Sequence, residues 1–240
     1  MSAPLVFLPG WCLGRGPLQA AVDALHGQFI DLPGYRDEAL EGDFDRAVAA
    51  LGARLAAGST LAGWSIGAQL ALAVAARHPD KVGKLLLVAG TASFVQRDGW
   101  PDAMPPATLA DFSAAVGVDP AGMLPRFVGS FNRGDAQAKE VSRLILELAD
   151  PLPSSLVLAA GLAWLRDVDL RADATRVQAP TLLIHGDADP LMPPGAARAL
   201  AALIPGARLE LFAGCAHAPF LSQAEHFVAS ARAFFDEPAA

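Results

Sequence analysis

Charged and aromatic residues are scarce in this sequence, and basic residues are fewer than acidic ones. Only 18% of the 240 residues are charged and 7% are aromatic, and the formal net charge is −7. Because nucleic-acid-binding proteins present a basic surface, this charge balance argues against that class. Hydrophobic residues make up 53% of the chain, so a large folded core is expected. Many of them are Ala and Leu, which favours helices packed on a sheet over a β-sandwich.

Cysteine is nearly absent, and no apolar stretch approaches the length of a membrane span. Cys12 and Cys215 are too few for a disulfide framework, and we expect two buried free thiols. The longest apolar candidate, 156–165, is shorter than the roughly 18 residues that a membrane helix requires. The N-terminus has no basic region, and Pro9 interrupts its apolar run, which argues against a signal peptide. The sequence therefore predicts a cytoplasmic protein without a membrane or nucleic-acid partner.

Short apolar runs that end in turn residues alternate with segments of helical periodicity. The apolar runs predict buried strands at Leu5–Leu8, Phe29–Leu32, Thr60–Trp64, Lys84–Val88, Thr181–Ile184 and Arg208–Phe212. The periodic segments predict helices at Asp43–Ala56, Ile66–Arg77 and Pro194–Leu203, and a last helix that opens with a capping box at Ser222 and Glu225. This alternation predicts an α/β fold with a mostly parallel sheet and helices on both of its faces.

The central part of the chain has a different character from the rest. Residues 97–171 contain several prolines and no clear strand pattern, and their periodic segments are helical. We interpret 97–171 as a helical lid inserted into one α/β domain. The two parts of that domain are then residues 1–96 and 172–240.

A candidate nucleophile lies in the segment Gly63–Gly67, which has the pattern G-x-S-x-G. In hydrolases this pattern places a serine on a sharp turn between a strand and a helix, and both elements are predicted around Ser65. The glycines permit the strained turn, and the helix N-terminus favours negative charge on the substrate oxygen. The alternative interpretation is an ordinary helix start with Ser65 as its N-cap.

A serine nucleophile needs a base, and the base needs a carboxylate to orient it. In a hydrolase of this architecture the acid and then the base follow the serine, each at the end of a later strand. His217 follows the predicted strand Arg208–Phe212 and is the candidate base, since the other four histidines lie at helix ends, in a helix or in a turn. Asp187 and Asp189 both follow strand Thr181–Ile184, and spacing alone does not separate them.

These motifs resemble the α/β-hydrolase superfamily over essentially the whole chain. The acid motif of that superfamily is H-G-x-x-D-x-x-[VM]-P, which His185–Pro193 matches with Asp189 in the acid position. The resemblance therefore implies a catalytic triad of Ser65, Asp189 and His217. It also implies that the reaction requires no metal and no organic cofactor.

A closer resemblance is to the pimeloyl-[acyl-carrier-protein] methyl ester esterases of biotin synthesis. It rests on the segments Gly10-Trp11, Asp31–Tyr35, Gly63–Gly67, Arg97–Pro101 and Ala216–Phe220. This resemblance implies a serine carboxylesterase that releases methanol from an acyl methyl ester, with acyl carrier protein as a partner. A broad short-chain carboxylesterase, a perhydrolase or a C–C bond hydrolase remain alternatives among enzymes. A ligand receptor of the same fold is the alternative from another class.

The same resemblance implies roles for individual residues beyond the triad. The backbone N–H groups of Trp11 and Ile66 would donate to the oxyanion. The substrate pocket would be lined by Trp11, Trp64, Ser65, Ile66, Phe127, Val128, Gly129, Ser130, Phe131 and His217. The surface that contacts the acidic carrier protein would contain Arg126, Lys139 and Arg143.

The charge of the lid agrees with a basic docking surface. Residues 126–143 contain four basic and two acidic side chains, a local balance of +2 in a chain of net charge −7: Arg126, Arg133, Lys139 and Arg143 against Asp135 and Glu140. A basic patch near the pocket of an acidic protein favours the approach of an acidic partner. A solvated helix face of mixed charge is an equally good interpretation of this segment.

Overall fold

A parallel sheet of six strands forms the centre of the protein in a computed structural model, which describes residues 3–238. The strand order is β2-β1-β3-β4-β5-β6, and every neighbouring pair is parallel. The strands are β1 (Leu5–Leu8), β2 (Gln28–Phe29), β3 (Ser59–Trp64), β4 (Val82–Val88), β5 (Thr181–Gly186) and β6 (Arg208–Phe212). This architecture, with helices packed on the sheet, confirms the predicted α/β class.

Eleven α-helices alternate with or follow these strands within residues 3–238. Those of the sheet domain are α1 (Gln19–Ala24), α2 (Phe44–Arg54), α3 (Ile66–Arg77), α8 (Arg171–Ala174), α9 (Pro194–Leu203), α10 (Pro219–Ser222) and α11 (Ala224–Asp236). Those of the central region are α4 (Pro106–Val118), α5 (Pro120–Phe131), α6 (Ala138–Leu148) and α7 (Ser155–Asp167). In the part of the chain that the structure describes, no helix is long and apolar enough to cross a membrane.

Helix α3 is buried along most of its length at the middle of the fold. Its residues from Ile66 to Ala75 are all buried, and the helix contacts both β3 and β4. Five of these ten residues are Ala or Gly, whose small side chains let the helix approach the sheet closely. This packing holds the helix N-terminus rigidly at the carboxyl end of β3.

Strand β2 is shorter than the predicted strand Phe29–Leu32, and this prediction was wrong in its bounds. Pairing with β1 stops early, since the Ile30 N–H donates to the Phe7 carbonyl at 3.1 Å and no further pair follows. Asp31 instead accepts two hydrogen bonds from the Arg15 guanidinium, and the next residues enter a turn. The carboxylate–guanidinium pair, together with the absence of an N–H on Pro33, ends the strand.

The predicted capping box at Ser222 and Glu225 is wrong. Ser222 ends the short helix α10, and α11 begins after Gln223, which makes no side-chain cap. The Ser222 hydroxyl instead donates to Asp135 Oδ1 at 2.9 Å. A tertiary acceptor has therefore taken the hydroxyl that the local pattern assigned to the helix N-terminus.

The central region is helical, as its periodicity predicts. Helices α4 to α7 all lie between residues 106 and 167, and only isolated β-bridges occur at its start, such as Val95 with Met104. Ionic contacts join it to the sheet domain, since Asp150 accepts from Arg36 at 2.7 Å and from the Arg15 backbone N–H at 3.1 Å. The bounds 97–171 for a separate lid remain a prediction.

Candidate active site

Ser65 occupies a strained turn between β3 and α3. Its φ and ψ are 59° and −120°, a left-handed backbone conformation that costs free energy in a residue with a side chain. A side chain on Gly63 would collide with the Gly67 carbonyl, and one on Gly67 would collide with the backbone of Leu8 and Pro9. The glycines of the G-x-S-x-G pattern are thus required by the close approach of these segments.

His217 and Asp189 form a buried pair at the ends of β6 and β5. The distance from His217 Nδ1 to Asp189 Oδ2 is 2.7 Å. Because an ionised carboxylate can only accept, Nδ1 carries the proton and Nε2 keeps a lone pair. Asp189 Oδ1 accepts from the backbone N–H groups of Leu191 and Met192 at 2.9 and 3.0 Å, which fixes the carboxylate in place.

The charge state of Asp189 results from opposing influences. Burial is the largest of them and by itself raises the pKa of this carboxyl group. The charge and hydrogen bond of His217, with smaller contributions from His185 and the Met192 N–H, outweigh burial and lower the pKa below its ordinary value. Asp189 is therefore ionised at neutral pH and suited to stabilise a positively charged imidazole ring.

The free nitrogen of His217 faces the same cavity as Ser65. His217 Nε2 is buried and has no hydrogen-bond partner among residues 3–238, and both residues line the cavity. The two side chains are not directly hydrogen-bonded here, and such bonds in a substrate-free site often form only when substrate binds. The Nε2 lone pair is thus available to accept a proton from inside the cavity.

The imidazole ring is held by two aromatic side chains and a hydrogen bond. Trp64 Nε1 donates to the His217 carbonyl at 2.9 Å, and its ring lies 5.8 Å from the imidazole. The Phe131 ring packs edge-on against the imidazole, with 5.3 Å between the two ring centres. The tryptophan before the candidate nucleophile therefore both lines the cavity and positions the candidate base.

The cavity that Ser65 and His217 line has a volume of about 140 Å³ and is largely apolar. Among residues 3–238, His217 is the only one with a titratable side chain that lines the cavity, and the sheet domain also contributes Trp11 and Trp64. Side chains of the central helices cover it, among them Thr108, Leu109, Phe112, Leu162 and Leu165. A neutral, apolar group of a ligand enters such a cavity with the smallest desolvation penalty.

Helical periodicity decides which residues of the predicted stretch 127–131 reach the cavity. Phe127, Ser130 and Phe131 line it, as expected for positions i, i+3 and i+4 of one helix face. Val128 is fully buried on a different face, and Gly129 is exposed with open space around it. Ile66 does not contribute to the cavity wall either, so three of the predicted lining residues lie elsewhere.

The sequence matches the α/β hydrolase fold family over residues 4–224, in agreement with the parallel sheet and the strand–turn–helix at Ser65. The chain belongs to the α/β hydrolase fold family. A protein of Nitrosomonas europaea named pimeloyl-[acyl-carrier protein] methyl ester esterase is 39% identical to it over 235 residues, which cover 93% of this chain and 92% of that protein.

Two further relatives show how the family resemblance extends. A protein of the same name from Aromatoleum aromaticum is 38% identical over 242 residues, covering 94% of this α/β hydrolase and 95% of the relative. An esterase from Exiguobacterium antarcticum has a similar solved structure, with a TM-score of 0.85 at 25% identity. That comparison covers 98% of this chain and 92% of the esterase.

The predicted oxyanion donors of this α/β hydrolase lie on adjoining turns. The Ile66 N–H begins α3, so it has no acceptor one helical turn earlier. Trp11 follows β1, and the close approach of Gly67 to the carbonyls of Leu8 and Pro9 brings the two turns together. The indole of Trp11 extends to the central helix α7, where its Nε1 donates to the Leu158 carbonyl at 3.1 Å.

Tyr35 supports the turn that carries Trp11, a role that the sequence did not reveal. Its hydroxyl accepts a hydrogen bond of 2.8 Å from the Cys12 N–H, where Cys12 has a positive φ of 59°. Burial is the main cause that raises the pKa of Tyr35, and its hydroxyl stays protonated. The segment Asp31–Tyr35 indicated a family resemblance, but only the fold shows that its tyrosine reaches the oxyanion turn.

The two cysteines are free and buried, as predicted from their number. Burial raises the pKa of the Cys12 thiol well above its ordinary value, and it also raises the pKa of Cys215. Because the thiolate is the reactive form, neither residue has the character of a nucleophile.

The basic residues of α5 and α6 differ in their charge partners. Arg143 pairs with Glu140 at 2.6 Å and with Glu147 at 2.5 Å, and these hydrogen bonds raise its pKa. Arg126 and Lys139 form no ion pair with another residue in the range 3–238. The charge count of 126–143 missed Glu147, which lies one helical turn beyond that segment, so Arg143 is less free than the sequence suggested.

Proposed function

We propose that this α/β hydrolase is a serine carboxylesterase that hydrolyses the methyl ester of pimeloyl-[acyl-carrier protein] and releases methanol. The observation that carries the proposal is a neutral cavity that contains Ser65 and His217 and no other titratable side chain. Such a cavity suits an uncharged acyl chain with a small alcohol group. The names of the relatives at 39% and 38% identity support the choice of substrate.

In the first half of the reaction the serine becomes acylated. Ser65 Oγ attacks the ester carbonyl carbon while His217 Nε2 takes the hydroxyl proton, and Asp189 stabilises the resulting imidazolium through Nδ1–H. The N–H groups of Trp11 and Ile66 donate to the oxyanion of the tetrahedral intermediate. When the C–O bond to the methoxy group breaks, His217 returns the proton and methanol leaves.

In the second half water replaces methanol. His217 Nε2 takes a proton from water as its oxygen attacks the acyl carbon of the Ser65 ester. Collapse of this second intermediate breaks the bond to Ser65 Oγ, which recovers its proton from His217. The product is a free carboxylate in a cavity whose walls carry no cation apart from His217 when it is protonated. Because an ion is poorly solvated there, product release is favoured.

Charge at the far end of the acyl chain should govern turnover of small esters. We expect the monomethyl ester of pimelic acid to have a kcat/KM at least about tenfold below that of its dimethyl ester at neutral pH, since its carboxylate loses water in an apolar cavity. Steady-state methanol release measures both substrates.

The monomethyl ester in which the far carboxyl group is an amide is the matched control, because it has nearly the same size without the charge. We expect it to resemble the dimethyl ester. Equal kcat/KM values for the amide and the carboxylate would contradict the placement of the chain in this cavity.

Docking of an acidic carrier protein should depend on Arg126 and Lys139, two cations of the central helices that form no ion pair within residues 3–238. For the Arg126→Glu/Lys139→Glu variant we expect a kcat/KM for the carrier-linked methyl ester about tenfold lower, with the difference shrinking as salt is raised. The kcat/KM for a short p-nitrophenyl ester should stay unchanged, because that substrate needs no docking surface.

A variant with the same change of charge elsewhere controls for the net charge of the protein. Arg46 on α2 and Arg232 on α11 are both exposed and lie outside the central helices. Their replacement by Glu should leave the carrier-linked reaction near its wild-type rate. If the wild type instead prefers short free esters over the carrier-linked ester, the protein is a short-chain carboxylesterase and the proposed substrate is wrong.

A further inference from the structure

Asp135 is a buried carboxylate for which the reaction above has no use. It lies between α5 and α6, is 7% exposed, and has no cationic partner among residues 3–238. A buried charge without a counter-ion is costly unless several donors satisfy it. The donors that surround Asp135 therefore decide what this carboxylate does in the fold.

Three hydrogen bonds satisfy this carboxylate, and two of them come from the segment that carries the base. Asp135 Oδ2 accepts from the Ala216 N–H at 2.8 Å. Its Oδ1 accepts from the Ser222 hydroxyl at 2.9 Å and from the Gln137 N–H at 2.7 Å. Since Ala216 immediately precedes His217, the carboxylate holds the peptide next to the catalytic imidazole.

The segment before His217 is held from a second side as well. Asp187 Oδ1 accepts from the Gly214 N–H at 2.8 Å, and the Gly214 carbonyl accepts from the Ala136 N–H at 2.8 Å. Gly214 has a φ of 71°, a left-handed conformation that glycine tolerates. Carboxylates from the acid loop and from the central helices thus hold alternate N–H groups of this segment.

Loss of the Asp135 contact would leave the Ala216 N–H buried without an acceptor. A buried unpaired N–H is unfavourable, so the segment would move to find another partner. His217 would then leave the position in which Nδ1 is 2.7 Å from Asp189. A displacement of about 1 Å at a catalytic group lowers turnover by about 100-fold.

We propose that Asp135 is a positioning residue for His217, supplied by the central helices to the sheet domain. It acts through the Ala216 N–H and keeps the imidazole between Asp189 and the cavity. The proposal rests on the proposed serine-hydrolase chemistry. It also implies that the segment 131–137 stays docked during turnover, since Phe131 in the same segment packs edge-on against the imidazole ring.

The Asp135→Asn variant tests the proposal with little change of shape. One of its two terminal atoms becomes an NH₂ donor that faces another donor, so at least one hydrogen bond is lost. We expect kcat for p-nitrophenyl butyrate to fall about 10- to 100-fold with KM within about twofold, and a larger loss of kcat for Asp135→Ala. We also expect the deshielded ¹H NMR signal of the His217 Nδ1 proton to broaden or shift.

A carboxylate buried elsewhere controls for a general loss of stability. Asp173 on α8 is similarly buried and pairs with Arg77 and Arg176 at 2.9 and 2.7 Å. Asp173→Asn should lower Tm while leaving kcat and the Nδ1 signal of the folded protein unchanged. If Asp135→Asn behaves like this control, the role of Asp135 is structural and the proposal is overturned.

Ser222→Ala provides a second, milder variant in case Asp135→Asn does not fold. It removes one donor to Asp135 Oδ1 and leaves the bond to Ala216, so we expect kcat about two- to fivefold lower. Wild-type kcat in every variant that folds would overturn the proposal. Failure of the wild type to hydrolyse any ester would refute the proposed function, whereas the Nδ1 signal would still report whether Asp135 positions His217.

Discussion

The Ser65→Ala variant should lose about 10⁴- to 10⁶-fold in kcat for every ester, because it lacks the hydroxyl that forms the acyl-enzyme in the proposed reaction. Its Tm should stay near or above that of the wild type, because the change removes only the side-chain hydroxyl of a residue whose backbone is strained. Stopped assays with p-nitrophenyl butyrate and with the carrier-linked methyl ester measure the loss. Labelling by a fluorophosphonate should disappear in parallel.

Ser230→Ala is the matched control, because this serine lies on α11 away from the cavity. It should keep wild-type kcat and wild-type labelling at Ser65. Near-normal hydrolysis by Ser65→Ala would refute the assignment of the nucleophile. If the wild type binds an ester or acid tightly but turns it over negligibly, the protein is a receptor of this fold rather than an enzyme.

Replacement of Asp189 by Asn should lower kcat by about 10³- to 10⁴-fold. One Asn oxygen can still accept from Leu191 and Met192, which places the NH₂ group against His217 Nδ1. His217 Nδ1 must then accept, so the imidazole proton moves to Nε2, and Nε2 can no longer take the proton of the serine hydroxyl. Steady-state kinetics at neutral pH measure the effect, with KM expected to change little.

Asp187→Asn separates the two acidic residues that lie on the same loop. Within the described residues, Asp187 accepts a hydrogen bond from the Gly214 N–H alone, at 2.8 Å, so we expect the Asp187→Asn variant to lose less than about tenfold in kcat. Larger damage from Asp187→Asn than from Asp189→Asn would show that the orienting acid is misassigned. The two variants are matched, because both replace an Asp of the same loop by Asn and so change the charge by the same amount.

Local patterns predicted the bounds of four elements correctly. The strands β1 and β6 and the helices α3 and α9 have the predicted bounds, because each is an apolar or periodic run closed by turn residues. Strands β3, β4 and β5 are longer than predicted by one or two residues, and two other predictions failed because a side chain has a distant partner. Arg15 takes the Asp31 carboxylate and shortens β2, and Asp135 takes the Ser222 hydroxyl from the predicted helix cap.

In the candidate site, too, local features were predictable from the sequence and contacts between distant residues were not. The turn at Ser65 is a local structure, since its neighbouring glycines and flanking elements are enough to specify it. The pairing of His217 with Asp189 spans 28 residues, and a motif shared with relatives was needed to choose Asp189 over Asp187. The helix face at 127–131 that meets the cavity depended on the rotation of α5, which neighbouring helices determine.

Hydrophobic periodicity and short-range backbone chemistry were enough to predict the fold class, the strained serine turn and the order of the three candidate catalytic residues. Three other features could be read from the folded protein alone: the cavity is neutral, Arg143 pairs with Glu147 as well as Glu140, and Asp135 accepts from the Ala216 N–H across 81 residues. Contacts between residues so distant in the chain depend on how the helices pack. The identity of the two residues that meet in such a contact leaves no periodic pattern in the sequence.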